Sequence, residues 1–166
     1  MKKSTKVLII VGSIIAALGI TFVIMLFCGQ KETKLNVTGD PVKDVKVITD
    51  LLTTNPSGVK NYLDLVGREY TDPAKTASFR TELENATKNI NLKVFGEPDM
   101  DAQVFVNVAF LEVNNVEVCQ AKAMEFLEMV QADQVYQNES LRMASFKSSL
   151  DTLLNNEGMS LSDLGL

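Results

Sequence analysis

Gln103-Val-Phe-Val-Asn-Val-Ala-Phe-Leu-Glu-Val113 is the stretch on which the fold turns. It is rich in β-branched and aromatic residues, which fit a pleated surface. In an extended chain Val104, Val106, Val108 and Phe110 fall on one side, and Phe105, Ala109, Leu111 and Val113 on the other. Both sides are apolar, which predicts a strand covered on both faces. Just upstream, Leu92 and Val94 run into Gly96-Glu97-Pro98-Asp99, which reads as a shorter strand and its exit turn. Two strands alone are marginal in water, so either this pair packs hard against the helices or weaker strands lie elsewhere in the chain.

Helical spacing surrounds this segment. Asp40-Pro41 is a start signal, with an aspartate cap and a proline whose missing N–H costs nothing in the first turn. Val45, Ile48, Leu51 and Leu52 then share one face, and the run ends at Thr54-Asn55-Pro56-Ser57-Gly58. Val59, Tyr62, Leu63 and Val66 mark a second, short helix stopping near Gly67, and Asp72-Pro73 opens a third with Phe79, Leu83, Ala86 and Ile90 on its face. The likeness of Asp40-Pro-Val-Lys to Asp72-Pro-Ala-Lys has a solenoid-like period, but no third copy follows. It reads as two independent caps. Past the strands, Val116, Cys119, Ala123, Phe126, Leu127 and Val130 form a stripe behind Asn115, and a last helix from about Asn138 carries Met143, Phe146, Leu150 and Leu153 or Leu154. The order predicts an α+β domain, residues 41–166, helix-rich and packed on a small antiparallel β-sheet or hairpin.

Residues 91–154 carry a resemblance. KVFGEPDMDAQVFVNVAFLEV as a hairpin and VEVCQAKAMEFLEMVQ as a following helix resemble the extracytoplasmic domains of small Gram-positive lipoproteins, which are similar to the cone-shaped fold of nuclear transport factor two. The resemblance implies a bacterial protein with a cone-shaped fold. The final strand of that pattern has no counterpart before Leu166, which implies a divergent or truncated member, and the resemblance brings no site residues.

The N-terminus decides location. Val7 to Cys28 is 22 residues without a charge. At about 1.5 Å per residue such a helix matches a hydrocarbon core of roughly 30 Å. Lys2, Lys3 and Lys6 precede it, which predicts residues 1–6 in the cytoplasm and the C-terminal domain outside, with the bilayer itself as a partner of residues 7–28. The same residues admit a lipoprotein signal cleaved before an acylated Cys28. Phe27 and Met25 stand where such signals carry a small residue and leucine, and favour an uncleaved signal-anchor. Residues 29–40 read as a polar linker.

From Leu35 onward 11 basic residues stand against 20 acidic ones, a net charge of −9, so the domain lacks the electrostatic footprint of a nucleic-acid binder. The chain has no histidine, which removes the commonest general base and metal ligand. No cofactor or catalytic residue is assigned. Glu97, Asp99 and Asp101 alternate across the turn, but too few oxygens converge there for calcium. Glu112, Glu117, Glu125 and Glu128 read as surface carboxylates, Cys119 as core, and Met124, Met129 and Met143 as core or an adaptable groove. Asn36, Asn85 and Asn138 begin glycosylation-type triplets whose use depends on the host. The tail is unusually apolar for a chain end. Its Met159, Leu161, Leu164 and Leu166 are expected either to dock or to bind a partner. These features suggest a tethered binding or assembly module that recognises a protein, peptide or envelope component through a cleft or the tail. The alternatives are an enzyme using carboxylates in a pocket, and a degenerate or truncated domain.

Overall fold

The computed structural model describes residues 35–164, and these fold as helices without a strand. Helix α1 is Pro41–Thr54, α2 Gly58–Glu69, α3 Pro73–Asn89, α4 Pro98–Ala109, α5 Val116–Ala132, α6 Gln134–Asn138 and α7 Ser140–Asn156. A 3-10 turn, Leu161–Leu164, follows. The start signals work as their chemistry requires. Asp40 accepts from the backbone N–H of Val42 and Lys43, Asp72 from that of Ala74, and Asn115 from that of Glu117. Each side chain satisfies donors that a helix leaves unpaired at its start.

The expected α+β architecture is overturned by the stretch quoted first. Most of it lies in α4, where Ala102, Val104, Phe105, Val106, Val108 and Ala109 are all buried. A helix enclosed on nearly every side has no polar stripe, so its apolar residues run on in sequence as they would in a covered strand. Burial against α7 and α5, its main neighbours, outweighs the β preference of its valines. Glu97-Pro98 is therefore a helix start with proline in the first turn, not the exit of a strand. Leu92 and Val94 belong to an irregular connection in which Leu92 is buried. Among the described residues there is neither the expected hairpin nor any small antiparallel β-sheet.

Two helical groups result. In the first, α1 packs chiefly on α3 and then on α2. In the second, α4 packs chiefly on α7 and then on α5. Contacts of α3 with α5 and of α1 with α4 join them, and one apolar cluster runs through both, with Leu35 and Val37 packed against it. No helix among the described residues is long and apolar enough to cross a membrane. The segment Val7–Cys28, on which the anchor and its orientation rest, lies outside them.

Candidate functional site

Two acidic side chains are wholly buried, Asp44 in α1 and Asp101 in α4. Each lies in the first turns of its helix and reaches back to the segment entering it. The Asp44 carboxylate accepts from the Thr38 N–H at 2.8 Å, the Gly39 N–H at 3.0 Å and the Thr38 hydroxyl at 2.9 Å. Two tyrosine hydroxyls complete the shell, Tyr62 at 2.8 Å and Tyr70 at 2.7 Å. Asp101 accepts from the Phe95 N–H at 2.8 Å, the Gly96 N–H at 3.0 Å and the Tyr136 hydroxyl at 2.6 Å. No lysine or arginine among the described residues pairs with either carboxylate. Among the described residues, it is hydrogen-bond donors that offset the cost of burying each charge.

The two differ in acidity. Burial pushes the Asp44 carboxyl upward, but the bonds from Thr38, Tyr70 and Tyr62 outweigh it and hold the group below the usual carboxylate range. For Asp101 burial wins over the bonds from Tyr136, Phe95 and Gly96, and the nearby Asp133 charge adds to it, leaving that carboxyl above its ordinary value. Burial and a bonded carboxylate push Tyr62, Tyr70 and Tyr136 well above the ordinary phenol value. These groups are fixed as donors.

Beside the second clasp lies an open groove of about 590 Å³, lined by Glu97, Pro98, Asp99 and Met100 from the start of α4 and by Ser145, Ser148 and Ser149 from α7. Ser149 donates to Asp99, and Arg142 donates to the Gly96 carbonyl while lying 3.7 Å from Glu97. Glu97, Asp99 and Asp101, taken together in the sequence, thus serve three separate ends. No group of acidic, cysteine or histidine side chains suited to a metal ion occurs among the described residues.

The remaining candidates are dispersed. Glu112 pairs with Arg80 and Glu125 with Lys122, whereas Glu117 and Glu128 are exposed. Cys119 is fully buried, and burial, aided by the Glu84 charge, pushes its thiol up to about 12, which leaves it un-ionised at neutral pH. Met124, Met129 and Met143 pack partly buried against the core. Asn36, Asn85 and Asn138 are exposed, though the Thr87 hydroxyl of the second triplet is buried and bonded to the Leu83 carbonyl. Of the tail, Met159 is buried, Leu161 packs partly buried on the core, and Leu164 closes the 3-10 turn. Cys28 and Leu166 lie outside the described residues. The clasps escaped sequence reasoning because a buried aspartate at the fourth helical position looks like any acidic first turn. The signal that could have found them is Gly-acid-Pro-x-x-Asp, present at Gly39–Asp44 and Gly96–Asp101.

No family model, curated protein or solved structure matches the chain.

Proposed function

We propose that this chain is a membrane-tethered module displayed outside the cytoplasm, binding a protein or envelope component through the groove beside α4 and α7. The observation that carries the reading is the uncharged run Val7–Cys28 behind three lysines, followed by a polar spacer and an acidic domain. The groove suits a contact role because it is open and mixes Pro98 and Met100 with acidic and hydroxyl groups. The described part of the tail contributes Met159 and Leu161 to the chain's own core, which favours the groove over the tail as the contact surface. An enzyme built on carboxylates would need acidic groups converging in a cavity. The two buried ones belong to different clasps, and of the two that line the groove Asp99 is bonded by Ser149 while Glu97 lies beside Arg142.

The test is made on the full chain in membranes of a Gram-positive host. Its mass distinguishes an intact N-terminus from a chain beginning at acylated Cys28, and external protease should digest residues 41–164 in whole cells. Recovery in the soluble fraction, or protection from external protease, would overturn the tether. For the contact surface, a photo-reactive side chain placed at Ser148 should give a discrete adduct in cells. Ser145→Arg, which puts bulk into the groove at an exposed position, should abolish that adduct without altering the melting temperature, and an adduct indifferent to Ser145→Arg counts against the groove.

A further inference from the structure

Leu35-Asn-Val-Thr-Gly-Asp-Pro-Val-Lys-Asp44 and Leu92-Lys-Val-Phe-Gly-Glu-Pro-Asp-Met-Asp101 carry Leu, Val, Gly, Pro and Asp in the same places, with an acid before each proline. Their backbones agree as closely. Gly39 and Gly96 have φ of 73° and 76°, a left-handed conformation that side chains disfavour, and the caps that follow have φ, ψ of −106°, 111° at Asp40 and −109°, 113° at Glu97. Each aspartate takes the two N–H groups five and six residues before it at 3.0 and 2.8 Å.

The agreement continues outward. Tyr70 and Tyr136 each donate a hydroxyl to the aspartate of their own group, and each sets its ring against a phenylalanine of the next long helix. The ring centroids are 5.2 Å apart for Tyr70 and Phe79 and 5.8 Å for Tyr136 and Phe146. Both phenylalanines end an Ala-Ser-Phe triplet, and both have a cation four residues earlier, Lys75 and Arg142. Each cation reaches the glycine of its own clasp. Lys75 Nζ lies 3.3 Å from where a Cβ on Gly39 would stand, and Arg142 donates to the Gly96 carbonyl. In the second helices Val59, Tyr62, Leu63 and Val66 have the spacing of Val116, Cys119, Gln120 and Ala123. After the third, Leu92 and Val94 stand as far beyond Phe79 as Met159 and Leu161 beyond Phe146, and Leu92 and Met159 are both buried. The packing order is also the same, with the first helix of each group set chiefly on the last and then on the second.

We infer that the chain is a tandem duplication of one three-helix unit, α1–α2–α3 followed by α4–α5–α7, and that each aspartate clasp is the latch of its own unit. The seam between the units is bridged by polar contacts. Arg80 meets Glu112, Thr81 meets Asn114, and Glu84 meets the Asn115 N–H, all exposed. Asn107 reaches the Pro56 carbonyl, and Lys60 pairs with Glu157. The exposed pairs among them contribute little. The apolar cluster nevertheless crosses the seam, so breaking one latch loosens its own unit most and the other less.

Hydrogen exchange resolved by peptide mass tests this on the full chain. Tyr136→Phe and Asp101→Ala, which strands the buried donors of the second clasp, should speed exchange across residues 98–156 by at least about tenfold while moving residues 41–89 several-fold less. Tyr70→Phe and Asp44→Ala should do the reverse. The tyrosine variants keep the comparison decisive if an alanine chain fails to fold, since each removes a single hydroxyl and keeps the ring. Equal acceleration of both halves by either set would overturn the inference, as would a response confined to the opposite half.

Discussion

Gln120, a residue only 5% exposed, carries both amide atoms into the interior without a hydrogen-bond partner among the described residues. A buried amide left unpaired costs about 1–3 kcal/mol. The matching position of the first unit is Leu63, a residue of similar size with nothing to satisfy. Gln120→Leu is therefore expected to stabilise the domain by about 1–2 kcal/mol, read as a higher urea midpoint with an unchanged slope. A lower midpoint would mean that the amide has a partner in solution. Thr87 shows the opposite solution to the same problem, since its buried hydroxyl returns to the Leu83 carbonyl of its own helix at 2.7 Å.

Glycine separates positions where an element needs its freedom from one where it does not. Gly67 lies exposed in α2 with nothing within 4 Å of where a Cβ would stand. Gly67→Ala should raise stability by roughly 0.5–1 kcal/mol through helix propensity alone. Gly96, at φ +76°, turns the chain into α4, and Gly96→Ala should lower stability by about 1–2 kcal/mol. Thermal melts of the two variants check the pair, and a shift of the same sign in both would refute it. Element by element, the sequence was legible wherever a helix has a wet side. The faces of α1, α2, α3, α5 and α7 were readable from spacing, and Asp40, Asp72 and Asn115 from their capping chemistry. It was illegible at α4, where burial erased the polar stripe and Val104, Val106 and Val108 imitate alternation. That error also hid the candidate site. A strand reading of Leu92–Val94 and Gln103–Val113 makes Gly96–Asp101 a turn between them and conceals its likeness to Gly39–Asp44. The third member of each clasp was beyond sequence reading for another reason. Tyr70 and Tyr136 meet their aspartates only after an intervening helix folds back, and nothing local marks them.

For the whole molecule, the two latches respond to acid with opposite signs. Asp44 has its folded pKa below the ordinary 3.8, so the stability it contributes is complete above that value and is lost as pH falls through the folded pKa. Asp101 has its folded pKa above 3.8, so its ionised form costs stability at neutral pH, and that cost is relieved as pH falls through the folded pKa towards 3.8. Carboxyl-carbon NMR titration should find Asp101 protonating before Asp44. In urea midpoints measured at each pH, Asp101→Asn should remove the gain seen on mild acidification, and Asp44→Asn should flatten the loss below it. An Asp101 that titrates below 3.8 would contradict the arrangement. The first clasp also has a mechanical meaning, because it stands where the chain coming from the N-terminal segment enters the domain. Tension drawn along that chain reaches Thr38 and Gly39, whose two N–H groups and one hydroxyl all end on a single carboxylate that Tyr62 and Tyr70 brace from behind. Those bonds share any pull applied from the N-terminal side of Thr38 and must give way together, so such a pull is spent at Asp44 before it can peel α1 from α3.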